Sequence, residues 1–330
     1  MCCNLFLTKS ELVDRRPFAV CVNGDTICAD CYNECRKRPN GKCPTCGDDL
    51  VQTPIINKTL MGLIGNCASV LEISVKKIEM EKKPFASGAF GQVYKGKWRE
   101  KDVVIKVMNA DSEDERQAIK NEANITLRLN HKNIIKLFGI ICVKDEPLGI
   151  VMEMTEHDSL DKWIGKMYYD QLRKTALGII SGLKYVHSQH VIHRDIKHQN
   201  ILMFGPKDDM IPKISDFGVS KVIQTVMMTH GKVGQELYMA PEVRLNLPYG
   251  FTADIYSLTM MLFEMFNKQL ISKSSDEVQR FITSVHSGRF GKIPETCEVP
   301  EYLRDVIKRG WSDSPEERPL LDEFYSTIRG

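Results

Sequence analysis

A chain of 330 residues with 42% apolar and 27% charged side chains can bury one large core and one small one, so two globular domains are expected. Its net charge of +2 gives no reason to expect nucleic acid or a membrane surface as a partner. No signal-peptide pattern and no apolar run long enough to span a bilayer is seen, and the cytosol, with the nucleus as a second compartment, is the expected setting.

Eight of the 11 cysteines fall in the first 46 residues. In a reducing compartment such a cluster reads as a metal site rather than a set of disulfides. Cys28-x2-Cys31 and Cys43-x2-Cys46 are two chelating pairs, each able to bring two thiolates to one tetrahedral zinc. The run NGDTICADC (Asn23–Cys31) followed by CPTC (Cys43–Cys46) resembles a RING finger, and INKTLMGLI (Ile56–Ile64) resembles the end of the related U-box. The resemblance implies a small RING/U-box-like domain over residues 1–66, with zinc as its metal and an E2 ubiquitin-conjugating enzyme as a partner. The sequence departs from the pattern: Asn23 stands at a cysteine position, Asp25 at the histidine position, and only Cys2 and Cys3 lie upstream. The resemblance pairs Cys43 and Cys46 with Cys21 and Asp25 on one ion, and leaves Cys28 and Cys31 in need of upstream partners. The alternative is a metal-free U-box-like core in which the cysteines are small apolar groups.

Residues 67–330 form the second expected domain. Ile73, Val75 and Ile78 suggest its first strand. Phe85–Gly96, FASGAFGQVYKG, is glycine-rich, as is a loop that brings backbone amides to phosphates, although a plain hairpin turn has the same composition. Val103–Met108 alternates as a strand and carries Lys106, a residue costly in an apolar strand unless paired or snorkelling at an edge. Ser112 and Glu115 form a capping box that starts a helix, with Glu122, Ile125 and Leu129 on one face. Ile150–Thr155 reads as a buried strand leading into a hinge, and Asp170–His187 as a long amphipathic helix.

The richest stretch is Val191–Met203, VIHRDIKHQNILM, with Asp195, Lys197 and Asn200, followed by KISDFGV (Lys213–Val219) with Asp216. One proton acceptor, one ammonium and an Asn–Asp pair able to hold a metal are what phosphoryl transfer needs, because that chemistry is mostly positioning and charge neutralisation. The spacing resembles the catalytic loop and metal-binding motif of the eukaryotic protein kinases, and the YMAPE (Tyr238–Glu242) and ERP (Glu317–Pro319) segments look like tyrosine-kinase-like serine/threonine kinases. The resemblance implies an α+β bilobal fold, a small β-rich lobe and a large α-rich lobe, that moves the γ-phosphoryl of ATP to protein substrates. By resemblance, Ala86, Gly88, Gly91 and Val93 cover the nucleotide, and the backbone of Glu153 and Met154 meets adenine with Met152 behind it. Lys106, paired with Glu122, holds the phosphates; Asp195 is base or orienter; Lys197 neutralises the γ-phosphate; and Asn200 and Asp216 hold magnesium. Thr225, Thr229 and Ser220 lie in an activation segment from Asp216 to Glu242, and Arg318 is the expected partner of Glu242. Gln235 stands where serine/threonine kinases usually carry a threonine. Two other classes compete with this reading: a pseudokinase scaffold, which needs a lost catalytic residue, and a ubiquitin ligase whose kinase-like part only recruits.

Overall fold

The computed structural model divides into two units, residues 1–70 and 71–330. It describes backbone segments 17–19, 26–28 and 55–56 of the first unit and, in the second, residues 72–88, 91–108, 126–142, 147–217, 237–271 without 246 and 248, 293–330, and single positions between 112 and 123 and between 276 and 285. In the first unit, strands β1 (Pro17–Ala19), β2 (Thr26–Cys28) and β3 (Ile55–Ile56) form an antiparallel sheet in the order β2-β1-β3. Cys21, Asp25, Cys31, Cys43 and Cys46 lie outside the described residues, and Cys28 is described only as the backbone end of β2.

In the second unit, Ile73, Val75 and Ile78 do not make a strand: Val75–Lys77 is a 3-10 turn. The Ser74 hydroxyl accepts from the Lys76 amide at 3.3 Å, a local bond that competes with extended backbone. Ile73 and Ile78 are both buried on either side of that turn, and the first strand, β4, is Glu79–Met80. β5 (Ala86–Gly88), β6 (Gly91–Trp98), β7 (Lys101–Met108), β8 (Leu137–Ile141) and β9 (Leu148–Glu153) complete an antiparallel sheet in the order β4-β6-β7-β9-β8, with β5 on β6. Alternation in β7 buries Val103 and Ile105 against Ile78, Trp98, Ile141 and Val151. The opposite face of β7 carries Val104 and Lys106, half-buried. β9 is buried from Leu148 to Met152, as expected of a strand inside a sheet covered on both sides.

The large lobe is helical. In α1 (Tyr169–Ser188), Leu172, Ala176, Ile179, Ile180, Leu183 and Val186 recur at helical spacing and are all buried. A capping box closes its start, the Gln171 side chain accepting from the Tyr168 amide at 3.0 Å. A two-stranded ribbon, β10 (Ile201–Phe204) and β11 (Ile211–Ile214), packs on α1 and leads away from the polar loop that precedes it. After the short helix α2 (Pro241–Arg244), α3 (Thr252–Phe266) is apolar nearly all round and is buried from Ala253 onward. Two of its hydroxyls bond to the helix's own backbone: Thr259 donates to the Ile255 carbonyl at 2.7 Å and Ser257 to the Ala253 carbonyl at 3.2 Å. The amphipathic helices α4 (Glu301–Gly310) and α5 (Leu321–Arg329) close the lobe.

Gly310 ends α4 where it crosses α3. A Cβ there would sit 2.2 Å from Thr259 Oγ1 and 3.0 Å from the Phe324 ring. Gly310→Ala is therefore expected to destabilise the lobe by about 1–3 kcal/mol through overpacking. In a Thr259→Ala background most of that penalty is expected to vanish. Urea melts of the four proteins check this, and equal penalties in both backgrounds would contradict the packing described.

Candidate active site

Glycine-rich hairpin β5–β6 pairs Ala86 with Val93 and Gly88 with Gly91. Its tip, Ala89 and Phe90, lies outside the described residues. Gly91 has φ +132°, and a Cβ there would fall 1.9 Å from the Val107 carbonyl oxygen, so only glycine fits. The hairpin continues into β6 and β7, whose register sets Val93 opposite Lys106.

Lys106 reaches across the cleft to Asp216, with Nζ to Oδ1 at 2.8 Å, a contact between residues 110 positions apart. Burial works to raise the Asp216 carboxyl, but the charge and hydrogen bond of Lys106, helped by Lys197, outweigh it and hold the group below the usual carboxylate range. Asp216 has φ +57°, a strained conformation for a residue with a side chain. Glu122, the expected partner of Lys106, lies outside the described residues.

The loop bearing Asp195 is clamped from below. Asp254 on α3 accepts the His193 amide at 2.8 Å, the Arg194 amide at 2.7 Å and the His187 ring nitrogen at 2.8 Å. Arg194 takes φ +71° there. His193 is fully buried, and burial lowers its pKa. Its Nδ1 accepts the Asp195 amide at 3.2 Å, so its Nε2 carries the hydrogen donated to the Ser215 carbonyl at 2.9 Å. One neutral imidazole thus joins the Asp195 amide to the carbonyl of the residue before Asp216, and it packs on Phe217 with ring centroids 4.7 Å apart.

Asp195 Oδ2 accepts from Lys197 Nζ at 2.8 Å and from Asn200 Nδ2 at 2.8 Å. Asn200 Nδ2 also donates to the Asp195 carbonyl at 2.7 Å. Both amide hydrogens of Asn200 are thereby spent, and its Oδ1 is the atom left for a cation. Ser215 returns the tie, its amide and hydroxyl both donating to the Asn200 carbonyl, at 2.8 and 3.0 Å. Lys106, Asp195, Lys197, Asn200 and Asp216 are thus linked through two lobes. Beside the Lys106–Asp216 pair lies a recess lined also by Thr126, Ile135, Met152 and Phe217.

At the hinge, the Glu153 amide donates to the Lys136 carbonyl at 3.0 Å. Its carboxylate takes Lys213 Nζ at 2.7 Å on both oxygens and so ties β9 to β11. The roles of His193 and Asp254 lie in their tertiary partners, for which the local sequence carries no signal. Among the described residues no group of three or more His, Cys, Asp or Glu is arranged to hold a metal, and no helix is long and apolar enough to cross a membrane.

Residues 81–327 match the protein kinase domain family. The chain is similar to the serine/threonine-protein kinase STY46 of Arabidopsis thaliana, with 32% identity over 79% of this chain and 45% of the relative. It is 36% identical to mitogen-activated protein kinase kinase kinase 7 of Homo sapiens over 78% of this chain and 42% of that protein. The serine/threonine/tyrosine-protein kinase HT1 of Arabidopsis thaliana shares 30% identity over 74% of this chain and 64% of its own length. The chain therefore spans under two thirds of each of these relatives. The family match covers most of the chain, residues 81–327, and includes every polar residue of the cleft: the chain belongs to the protein kinase domain family.

Proposed function

We propose that the chain is an ATP-dependent serine/threonine protein kinase of the tyrosine-kinase-like group. The observation that carries this reading is the convergence of Lys106, Asp195, Lys197, Asn200 and Asp216 on one cleft, with each carboxylate already held against an ammonium. Magnesium fits the donor set: it takes oxygen ligands, few of them from protein, and Asn200 Oδ1 and the anionic Asp216 are such ligands. When bound there, magnesium would supply positive charge against the charge developing on the phosphoryl group during transfer. Asp195, held by Asn200 and Lys197, accepts the acceptor hydroxyl's proton through its remaining oxygen. Lys197 is placed to shift from Asp195 toward the transferring phosphoryl group, and Lys106 from Asp216 toward the nucleotide phosphates. Hinge backbone at Glu153 and Met154 receives the adenine ring. The names of the relatives and Lys197 two residues after Asp195 support hydroxyls of serine and threonine as acceptors. Mapping the label after incubation with magnesium and γ-labelled ATP tests the acceptor: phosphoserine and phosphothreonine are expected, and phosphotyrosine alone would overturn that assignment.

For residues 1–66 the reading is a RING/U-box-like module that binds zinc through its cysteines and recruits an E2 or another partner, in the cytosol. The cysteine spacing supports it. Elemental analysis of the full chain is expected to show about one zinc, given the missing upstream pair. A zinc-free chain that still autoubiquitinates with an E2 would favour the metal-free U-box form, and silence with a panel of E2 enzymes would leave a docking module.

A further inference from the structure

A buried polar cluster lies behind the catalytic loop and serves none of the roles above. His198 follows Lys197 and opens the 3-10 turn His198–Asn200. It is fully buried, and Glu264 on α3 is nearly so. Its Nδ1 lies 3.1 Å from the Tyr238 hydroxyl and 3.1 Å from Glu264 Oε2. Tyr238 also donates its hydroxyl hydrogen to Glu264 Oε2. The other carboxylate oxygen accepts the Ile271 amide at 2.8 Å. Burial, then the neighbouring Glu264, push the Tyr238 phenol well above its usual pKa, so it stays a donor.

Hydrogen counting then fixes the ring. The phenol hydrogen goes to Glu264 and the carboxylate only accepts, so the hydrogen for both contacts of Nδ1 must sit on Nδ1. Nε2 has no hydrogen-bond partner among the described residues.

The cluster ties together elements far apart in sequence. Tyr238 lies 40 positions after His198 and 26 before Glu264. The Tyr238 carbonyl is fixed in turn by the Ser257 hydroxyl at 2.7 Å. Tyr238 leads directly into Met239 and Ala240, which with Arg194, Val243 and Tyr249 line a recess beside the catalytic loop. We propose that His198 is a positioning residue: its Nδ1–H anchors the turn carrying Lys197 and Asn200 to Tyr238 and Glu264, so that the loop bearing Asp195 and the segment flanking the acceptor site hold one register. The proposal rests on the phosphoryl-transfer reading of the cleft. An apolar side chain here would leave Glu264 buried with one donor fewer.

The discriminating variants are near-isosteric. Asparagine at 198 can present an N–H where Nδ1 stands, whereas aspartate presents an acceptor to an acceptor. His198→Asp and Tyr238→Phe are expected to lower kcat about tenfold or more, because small misplacements of reacting groups are costly. KM for ATP should stay within about twofold, since the nucleotide contacts are elsewhere. His198→Asn should recover the rate to within about threefold, and the His198→Asp/Tyr238→Phe double variant should be little worse than His198→Asp alone. Equal rates for the Asn and Asp variants, or a loss confined to KM for ATP, overturns the proposal. Amide hydrogen exchange supplies an arm that needs no activity. In both His198→Asp and Tyr238→Phe, exchange should quicken together in 196–203 and 237–243; quickening only around the substituted residue overturns the coupling. A wild-type chain that transfers no phosphoryl group would defeat the kinase reading instead, and the exchange arm would then decide the coupling alone.

Discussion

Asp216→Asn is expected to cut phosphoryl transfer by about a hundred- to a thousandfold, the cost of removing one preorganised charge from a transition state. The substitution keeps shape and removes the anion that Lys106 now balances and that would hold magnesium. The fold should survive it. The Asp216 side chain is 34% exposed, and an ion pair open to solvent contributes at most about 1 kcal/mol. Melting should therefore shift by no more than a few degrees. Steady-state rates over a range of magnesium concentrations, alongside thermal melts, check both halves. Unaltered turnover with the same magnesium requirement would show that Asp216 is not the metal's ligand.

The second large effect concerns stability. Arg318 meets Glu242 through two parallel bonds, Nη1 to Oε1 at 2.7 Å and Nη2 to Oε2 at 2.8 Å, and both residues are buried. Two of its other three hydrogens go to the carbonyls of Ser312, at 2.9 Å, and Thr252, at 3.0 Å. Arg318→Met leaves the Glu242 charge unpaired in a dry interior, an expected loss of about 3–5 kcal/mol. For a domain of this size that lowers the melting temperature by roughly 6–15 °C. Glu242→Leu added to Arg318→Met should recover much of the loss, since replacing both partners removes the desolvation penalty. Thermal melts of the single and double variants decide it. A drop of only a degree or two in the single variant would mean that the pair is hydrated. Because Glu242 closes the segment that Tyr238 begins, the single variant should also be less active at temperatures where it remains folded.

The polar residues of the cleft were legible because they are local: Asp195, Lys197 and Asn200 fall within six residues, and Asp216 follows one short ribbon. Long periodic elements were legible too. The helix expected over Asp170–His187 occupies Tyr169–Ser188, and the strand expected from Val103 begins two residues earlier. What the sequence could not show is which partner each charge takes. The bond from Lys106 to Asp216, 110 positions away, has no local signal in either segment. The cluster of His198, Tyr238 and Glu264 was hidden for the same reason, since each residue alone looks like an ordinary polar group on its own element. At Ile73–Ile78 the apolar residues marked burial correctly but not conformation, because a Ser74 side-chain bond tipped the backbone into a turn.

We propose that this cleft transfers the γ-phosphoryl of ATP with magnesium held by Asn200 and Asp216. Incubation of the purified chain with γ-labelled ATP and a general protein acceptor, with magnesium present and then chelated, tests it most directly. Label on protein is expected with magnesium, and none once the metal is removed. A folded chain that binds ATP yet labels no protein at any magnesium concentration would contradict it, and would point to a scaffold that keeps the cleft without the chemistry.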